Sequence, residues 1–292
     1  MNILLIGRSG QVGQALERLL HNGHDLIALD RSDLDLTDQG AITSAIDDSD
    51  PDVVINAAAY TAVDRAESEP ELAAAINATA PGLIAEASAA AGAWIIHYST
   101  DYVFDGSGTR PYRESDLTQP LGTYGRTKWE GEEAVRRANA EHLILRTSWV
   151  YTWHGHNFLL TMLRLASERD LLKVVDDQIG SPTYAEDLAS MTVSIIEKLE
   201  IDELNSVAGT YHLTHQGQTN WCDFARKIFA LAGIKGVEVE GIPTEAYPTP
   251  APRPRYSVLD GDRLKRVFNL EMPDWESGLR RCIEEGGLAR SK

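Results

Sequence analysis

Short apolar runs alternate with longer stretches of helical spacing through the first half of the chain. The apolar runs occupy residues 3–6, 26–29, 53–58, 94–98 and 143–147, and the helical stretches occupy residues 14–20, 40–46, 71–91 and 123–138. A buried strand that is repeatedly followed by a helix is typical of a parallel sheet with helices on both faces. The pattern therefore predicts the α/β fold class, with a doubly wound parallel sheet.

The second half of the chain is less regular. It predicts a loop leading into a helix over residues 154–166, a further helix at 221–232, and short strands at 172–175 and 211–213. Four prolines lie within the segment 247–255. Because proline fixes φ and lacks a backbone N–H, this segment is expected to form neither a helix nor a strand ladder. It is either a linker or a loop whose two arginines face a ligand's phosphates, beside a small C-terminal lobe.

A glycine-rich turn follows the first apolar run. Residues 7–13 read GRSGQVG, with glycines at Gly7, Gly10 and Gly13. Glycines let the backbone approach a pyrophosphate, and the free N–H groups of a helix N-terminus stabilise its charge. The second apolar run ends at Asp30, where dinucleotide-binding units place an acid against ribose hydroxyls. These elements together predict a dinucleotide site; the alternative is a helix-capping loop in another α/β protein.

Residues that carry chemistry are expected just after the strands, because ligands of doubly wound sheets bind at the carboxyl ends of strands. The hydroxyl pair Ser99 and Thr100 follows the fourth apolar run. Tyr124 and Lys128 then lie four positions apart, on one face of the next predicted helix. A nearby ammonium favours a phenolate, so Lys128 is expected to lower the pKa of Tyr124 and to reach a ribose hydroxyl. The order predicts a proton-transfer triad; the alternative is an exposed pair on a helix.

Composition and charge exclude several classes of function. The 292 residues carry 27 basic and 44 acidic side chains, a formal net charge of −17. Such a field repels nucleic acids and anionic membranes, so neither is an expected partner. Cys222 and Cys282 fit no metal spacing and no disulfide framework. No signal peptide and no apolar stretch long enough to span a membrane is recognisable, and a cytoplasmic protein is expected.

Longer sequence motifs accompany the glycine turn and the Tyr124–Lys128 pair. The chain carries NAAAYTAVD at 56–64, AESE at 66–69, YSTDYVF at 98–104, LRTSWVY at 145–151, DQIGSPT at 177–183, an Asn-Phe pair at 157–158 and YPTP at 247–250. With the glycine turn and the hydroxyl–tyrosine–lysine order, these motifs resemble the extended short-chain dehydrogenase/reductase superfamily. Within it they are most similar to the dTDP-4-dehydrorhamnose reductase family, over residues 1–279.

The resemblance implies a reaction and its residues. The C4 ketone of dTDP-6-deoxy-L-lyxo-4-hexulose (dTDP-4-dehydro-L-rhamnose) would be reduced to dTDP-L-rhamnose with hydride from NAD(P)H. Thr100 would hydrogen-bond the C4 oxygen, Tyr124 would donate the proton, and Lys128 would tune Tyr124 and bind the nicotinamide ribose. The candidate cofactor-lining positions are Gly7, Gly10, Gln11, Val12, Gly13, Asp30, Arg31, Asp35, Leu36, Ala57, Ala58, Ala59, Tyr124 and Lys128. The candidate substrate-lining positions are Thr61, Val63, Thr100, Tyr102, Tyr124, Trp149 and, for the nucleotide diphosphate, Arg253.

The expected fold is accordingly a Rossmann-type doubly wound parallel sheet with a smaller C-terminal substrate-binding lobe. Residues 1–149 are expected to form the NAD(P)-binding domain, with a later return of about 166–216 to the sheet. Residues 150–165 and 217–292 are expected to form the discontinuous smaller lobe. The implied partner is a dTDP-sugar, and the resemblance also allows a homodimer.

The residues leave the choice of cofactor open. Asp30 favours the free 2′-hydroxyl of NADH, whereas Arg8 and Arg31 suit the 2′-phosphate of NADPH. Use of both cofactors, with NADPH somewhat favoured, is expected.

A metal site is the clearest departure from the family pattern. Some members hold Mg²⁺ at a dimer contact with three glutamates. Ala15 stands at one of these positions, whereas Glu186 and either Glu284 or Glu285 match the other two. Because losing one hard oxygen ligand of three weakens a Mg²⁺ site, no bound metal and no Mg²⁺ dependence are predicted.

Two other functions compete with ketone reduction. The first is a nucleotide-sugar epimerase or dehydratase on the same scaffold. A dehydratase is expected to carry further acidic groups after the strand-end threonine, and here Tyr102 rather than a glutamate follows Asp101. The second is a non-catalytic regulatory subunit like the β subunit of methionine adenosyltransferase, which shares the fold and many of the motifs. The complete hydroxyl–tyrosine–lysine set favours catalysis over this second function.

Overall fold

Six parallel strands form the centre of the computed structural model, which describes residues 1–200, without the side chain of Glu200, and residues 207–289. Numbered along the chain, these strands are β1 (Asn2–Ile6), β2 (Asp25–Leu29), β3 (Val53–Asn56), β4 (Trp94–Thr100), β5 (His142–Thr147) and β10 (Gly209–His212). Their order in the sheet is β10-β5-β4-β3-β1-β2, and every neighbouring pair is parallel. The predicted α/β class with a parallel sheet is confirmed. The strand order reverses at β1, which is where doubly wound sheets open a ligand crevice.

Shorter strands pair outside this sheet. They are β6 (Val150–Tyr151) with β9 (Thr183–Tyr184), β7 (Leu171–Val175) with β12 (Glu238–Ile242), and β8 (Ile179–Gly180) with β11 (Thr219–Asn220). The return of the chain to the central sheet therefore begins later than residue 166, because β7 pairs with β12 instead. Alternate residues of β7 are exposed, including Leu171 and Lys173, which suits a two-stranded sheet with one solvated face.

Helices cover both faces of the central sheet and build the second lobe. They are α1 (Gln11–Leu20), α2 (Gln39–Ser49), α3 (Val63–Ala66), α4 (Pro70–Ala74), α5 (Ala80–Ala90), α6 (Thr123–Ala138), α7 (Phe158–Leu165), α8 (Ala185–Glu200), α9 (Trp221–Ala232), α10 (Asp262–Phe268) and α11 (Trp275–Glu285). The helices predicted at 123–138 and 221–232 have the bounds of α6 and α9. Asn220 begins α9 as its side chain accepts a hydrogen bond from the N–H of Asp223.

The alanine-rich stretch at 71–91 is not one continuous α-helix as predicted. A π-helical turn, Ala75–Thr79, lies between α4 and α5. Pro81 offers one physical reason, because it has no N–H to donate to the carbonyl of Asn77 four residues earlier. The turn also places the Asn77 side chain inside the protein, where it bonds both backbone groups of Tyr60.

Each face of the central sheet has its own apolar core. Along β1, Ile3 and Leu5 point into the core that contains α1 and α8, whereas Leu4 and Ile6 point into the core that contains α2 and α5. This alternation explains why β1 is apolar throughout, since both of its faces are buried. A third core lies in the second lobe, around Phe224 in α9.

The proline-rich segment 247–255 forms neither helix nor ladder, as predicted. It is not a free linker, because Ala251 is buried and its N–H donates to Asp64 of α3. Pro254 packs against Gly106, which follows β4. The segment thereby ties the second lobe to the sheet. Among the described helices, none has the length and apolar character needed to cross a membrane.

Candidate active site

A cleft of about 620 Å³ opens at the carboxyl ends of the central strands and is closed on one side by the second lobe. The predicted residues that line it are Gly7, Gly10, Gln11, Val12, Arg31, Ala57, Ala58, Ala59, Thr61, Val63, Thr100, Tyr102, Tyr124, Lys128 and Trp149. Five other predicted residues do not line it, namely Gly13, Asp30, Asp35, Leu36 and Arg253.

The glycine turn between β1 and α1 fits tightly against the end of β3. Gly7 has φ +97°, and a Cβ atom there would lie 2.6 Å from the backbone nitrogen of Ala58. A Cβ atom on Gly13 would overlap the carbonyl oxygen of Gly7, so Gly13 acts by packing rather than by facing the cleft. No side chain caps the N-terminus of α1, where Gly10 is the capping residue. The turn therefore has the closeness and the free N–H groups that a pyrophosphate needs.

Charged side chains at the end of β2 form the nucleotide rim, which we define as Arg8, Asp30 and Asp33. The carboxylate of Asp30 accepts hydrogen bonds from the N–H (2.8 Å) and hydroxyl (2.6 Å) of Ser32, and Arg8 Nε lies 3.3 Å away. The bonds from Ser32, followed by Arg8, lower the pKa of Asp30 to about 2. Asp30 is thus ionised, and its carboxylate is already bonded to Ser32 and Arg8.

Asp35 and Leu36 lie further along the same connection. Asp35 accepts from the N–H and hydroxyl of Thr37, and Leu36 is half-buried against the core that contains α2. They shape the rim from outside the cleft.

Small residues after β3 form the floor of the cleft at Ala57, Ala58 and Ala59. The side-chain oxygen of Asn56 accepts from the N–H of Ala58 at 3.1 Å, which fixes the loop from below. A flat ligand can therefore lie directly on the backbone.

Thr100 and Tyr124 meet where β4 ends and α6 begins. The Thr100 hydroxyl donates to Asp101 Oδ1 at 3.1 Å and accepts from the N–H of Tyr102 at 3.2 Å. Burial raises the pKa of Tyr124 to about 12, although a hydrogen bond with Thr100 acts in the opposite direction. Burial also raises the pKa of Asp101 to about 6.

Lys128 does not lower the pKa of Tyr124 as expected. Its Nζ donates to the carbonyl oxygen of Tyr98 at 2.6 Å and lies 3.3 Å from Nε2 of His97. Burial lowers the pKa of Lys128 to about 8, so near neutral pH part of the population carries no charge. Because burial opposes its charge, Lys128, which is only 2% exposed, is a weaker source of positive charge than the expectation assumed.

A buried carboxylate lies one helical turn beyond Lys128. Glu132 accepts two bonds from Arg146 (2.6 and 2.8 Å), one from Arg136 (2.7 Å) and one from the hydroxyl of Ser99 (2.6 Å). Burial raises the pKa of Glu132, but the bonds and charge of Arg146 outweigh it, so the net shift is downward. This ion cluster joins β4, β5 and α6 beneath the proposed catalytic residues.

Aromatic rings line the side of the cleft that faces the second lobe. Tyr102 and Tyr124 meet edge to face with centroids 5.5 Å apart. Trp149 has φ +47° and stacks on Trp221 at 3.5 Å, with Gly180 leaving room for the indole. A positive φ on a bulky residue is strained and is held here by the packing around it.

Arg253 lies outside the cleft lining, in an ion pair. Its guanidinium is 2.9 Å from Asp64 Oδ1 and 6.0 Å from the centre of the Tyr102 ring. A diphosphate would have to compete with Asp64 for this arginine.

The three positions compared with a Mg²⁺ site do not offer a set of ligands. Ala15 is buried in α1, and one turn later Arg18 pairs with Glu186. Glu285 accepts from the hydroxyl of Tyr184 at 2.6 Å, and Glu284 is exposed. Among the described residues, no three His, Cys, Asp or Glu side chains are grouped as a metal would require. Of the three positions, Ala15 has no oxygen ligand to offer.

Several residues of the site were missed in the sequence. His97 interrupts the apolar run 94–98 at the start of β4, and a buried polar residue at such a position signals a function. Trp221 reaches the cleft from α9, and Asn157 of the second lobe donates at 2.9 Å to Oε1 of Gln11, which was itself predicted. No local pattern marks such contacts, because each joins positions far apart in the chain.

Comparison with known proteins agrees with this geometry. A family model described as the RmlD substrate binding domain matches residues 1–287. A curated relative from Salmonella typhimurium, named dTDP-4-dehydrorhamnose reductase, is 47% identical over 294 residues, which cover 98% of each chain.

Solved structures give the same result. A dTDP-4-dehydrorhamnose reductase from Clostridium acetobutylicum is 40% identical with a TM-score of 0.92, covering 98% of this chain and 99% of the other. The enzyme of that name from Bacillus anthracis, in complex with NADP, is 39% identical with a TM-score of 0.90, covering 97% and 98%.

Proposed function

The chain belongs to the dTDP-4-dehydrorhamnose reductase family, and from this premise we infer that it reduces the C4 ketone of dTDP-4-dehydro-L-rhamnose to dTDP-L-rhamnose. It is an NAD(P)H-dependent oxidoreductase that performs the last step of dTDP-rhamnose biosynthesis. The observation that carries the proposal is the meeting of Thr100, Tyr124 and Lys128 in one cleft with the glycine turn.

The residues of the cleft fit a nicotinamide dinucleotide. The close packing of Gly7 on Ala58 and the uncapped start of α1 suit the pyrophosphate, and the alanine floor suits a flat ring. When bound, the reduced nicotinamide supplies the hydride for C4. We propose that Lys128, which lines the same cleft, binds the nicotinamide ribose.

Tyr124 supplies the proton. Because its pKa is raised to about 12, the phenol is protonated throughout the neutral range and holds a proton for the C4 oxygen. The Thr100 hydroxyl lies beside it and orients the same oxygen. Donors aimed at an oxygen that gains charge stabilise the transition state more than the ground state.

The dTDP-sugar lies on the other side of the cleft in this proposal. Thr61, Val63, Tyr102 and Trp149 line that side, and the Trp149–Trp221 stack supplies an apolar wall for the sugar or the base. Arg253 reaches the diphosphate only after leaving Asp64.

The test is NADPH oxidation followed at 340 nm. The purified protein is mixed with NADPH and the product of the preceding dehydratase and epimerase steps. Absorbance is expected to fall only when both are present, with dTDP-L-rhamnose as the product by mass spectrometry. A protein that binds the cofactor but oxidises none of it would be a binding module instead.

We further propose that both NADH and NADPH are used, with NADPH somewhat favoured. Arg8 and Arg31 support the 2′-phosphate, whereas Asp30, although engaged with Ser32, supports a free hydroxyl. Values of kcat/KM for the two cofactors test this. An NADH preference of about a hundredfold or more, about 2.7 kcal/mol, would contradict it.

The reaction is proposed to need no Mg²⁺, since Ala15 offers no ligand and Arg18 occupies the carboxylate of Glu186. Treatment with EDTA, with added Mg²⁺ as the matched control, should leave the rate unchanged, and lost activity that Mg²⁺ restores would contradict the proposal.

We place the reaction in the cytoplasm, a reducing compartment, because Cys222 and Cys282 are both free and buried. The homodimer and the lack of a nucleic-acid partner stay predictions, the first testable by light scattering at micromolar concentration.

A further inference from the structure

A chain of buried hydrogen bonds leads from the cleft floor to Lys128. It runs from the N–H of Ala58 to Asn56 Oδ1 (3.1 Å), from Asn56 Nδ2 to His97 Nδ1 (3.2 Å), and from His97 Nε2 to Lys128 Nζ (3.3 Å). Asn56 and His97 are fully buried, and Lys128 is 2% exposed. Each link therefore needs one donor and one acceptor, because water does not replace a missing partner there.

The first link fixes the orientation of the Asn56 amide. The N–H of Ala58 can only donate, so the amide oxygen of Asn56 must face it. The amide NH₂ then faces His97 and can only donate. His97 Nδ1 must accept this bond, and so it carries no hydrogen.

The second link fixes the tautomer of His97. A neutral imidazole with a bare Nδ1 carries its hydrogen on Nε2, which faces Lys128. Burial, followed by the charges of Lys128 and Arg136, lowers the pKa of His97 well below its ordinary value, so the doubly protonated ring is not formed. The Nε2–H needs an acceptor, and an ammonium has none to offer.

We propose that His97 is a positioning residue which, held by Asn56, directs its Nε2–H at Lys128 and shifts that lysine toward its amine form in the free protein. The amine still donates to the carbonyl oxygen of Tyr98. The Nδ1–H tautomer would suit a charged Lys128 better, because its bare Nε2 could accept from the ammonium. Two donors, Nδ1–H and the Asn56 NH₂, would then face each other.

The surrounding charges do not cause this shift of Lys128. On α6, Glu132 faces Lys128 and favours its ammonium, but Glu132 is itself paired with Arg136 from the same helix and Arg146 from β5. Arg136 also pairs with Glu133, so the two guanidinium groups and the two carboxylates of the cluster balance before Lys128 is counted. Asp101, on the opposite side, faces Tyr124. Burial lowers the pKa of Lys128 to about 8 despite Glu132.

The consequence for the reaction is that Lys128 favours the loss of the Tyr124 proton less strongly in the free protein. An ammonium at Lys128 would favour the phenolate, whereas an amine does not. The inference uses the proposed function for this consequence only. The geometry of Asn56, His97 and Lys128 stands without it.

The first test is the tautomer of His97, measured on the protein without cofactor or substrate. Histidine labelled with ¹⁵N is observed in long-range ¹H–¹⁵N spectra near pH 7, and His97 is assigned from the signal that His97→Gln removes. The expected result is the Nε2–H tautomer. The Nδ1–H tautomer would overturn the proposal.

Asn56→Asp is a matched variant that should reverse this result. A carboxylate at 56 still accepts from Ala58, but its second oxygen can only accept from His97. The His97 ring is then expected to switch to Nδ1–H. If the tautomer does not change in Asn56→Asp, Asn56 does not control it and the chain is refuted.

The second test is the titration of Lys128, followed by the ¹³Cε shift of labelled lysine and assigned from Lys128→Met. His97→Leu removes the donor and should raise the pKa of Lys128 by about one unit, the effect of one hydrogen bond. His97→Gln can present an oxygen to Asn56 and an NH₂ to Lys128, so it should keep the native titration. An equal shift in both variants, or none in His97→Leu, would overturn the proposal.

These measurements separate the two proposals. If the protein reduces the substrate but His97 is the Nδ1–H tautomer, the role of His97 is refuted and the reductase function is not. If His97 is the Nε2–H tautomer but the protein does not reduce the substrate, the reductase function is refuted and the hydrogen-bond chain is not. If His97→Leu fails to fold, the native tautomer and Asn56→Asp still decide the question.

Discussion

The two ends of the cleft are built from charged groups in opposite ways. The nucleotide rim of Arg8, Asp30 and Asp33 lies near solvent, and the side chain of Arg8 is 39% exposed. The ion cluster beneath Tyr124 and Lys128 is buried, with Glu132 at 0% exposure and Arg146 at 2%. The rim can therefore exchange its partners for those of a ligand, whereas the buried cluster cannot.

The difference has a physical basis in desolvation. Exposed ion pairs contribute little to stability and re-form easily, because water solvates each charge when the pair opens. A buried charge that loses its partner keeps its desolvation cost, so removal of one partner is strongly destabilising. We expect changes near the buried cluster to affect catalysis or folding strongly, and changes at the rim to affect only cofactor preference.

The largest effect is expected from Tyr124→Phe. Removing the phenolic hydroxyl leaves no proton donor for the C4 oxygen, so kcat should fall by about 10²- to 10⁴-fold. The matched control is Tyr211→Phe, which removes a buried hydroxyl that donates only to the Val207 carbonyl. A near-normal kcat in Tyr124→Phe would remove Tyr124 from the proposed mechanism.

Glu132→Gln should mainly affect folding. The amide keeps the shape but leaves the buried Arg146 without its carboxylate and Arg136 with Glu133 alone, which should lower the free energy of unfolding by about 3–5 kcal/mol. Urea denaturation measures the change. Glu133→Gln, whose side chain is 40% exposed, is the control and should change stability by about 0.5 kcal/mol or less. Equal losses in the two variants would show that burial does not distinguish them.

Asp101→Asn should change how stability depends on pH. Burial raises the pKa of Asp101 from 3.8 to about 6, so the folded protein holds this proton more tightly than the unfolded chain does. The contribution to stability is complete below about pH 4 and is lost as the pH rises through about 6. An asparagine does not titrate.

Relative to the native protein, Asp101→Asn should therefore gain up to about 3 kcal/mol between about pH 4 and 7. Urea denaturation at the two pH values measures this difference. Asp116→Asn serves as a control, and its stability relative to the native protein should change with pH in the opposite direction. The reason is that the hydrogen bonds of Arg110 lower the pKa of Asp116. If the stability difference between Asp101→Asn and the native protein is the same at both pH values, Asp101 is ionised in the folded protein at both.

The same contrast explains what the sequence could predict. The glycine turn, the strand-end Thr100 and the Tyr124–Lys128 spacing are local patterns, and local patterns fix which element carries a residue and which way it points. The pKa of Lys128 is not local, because it depends on burial between β4, β5 and α6 and on His97, thirty-one positions away. The pairing of β7 with β12 likewise depends on distant contacts.

The smallest effect is expected at the rim, from Arg8→Ala. Arg8 is held by Asp30 and Asp33 in the free protein and should transfer to the 2′-phosphate of NADPH. Because an exposed charge contact contributes little, kcat/KM for NADPH should fall by about twofold to fivefold, and the value for NADH should stay the same or rise as Asp30 is released. Arg110→Ala removes the same charge from an exposed pair with Asp116, far from the cleft, and controls for net charge. A loss of a hundredfold or more for both cofactors would show that the rim is as rigid as the buried cluster, and the contrast between the two ends would fail.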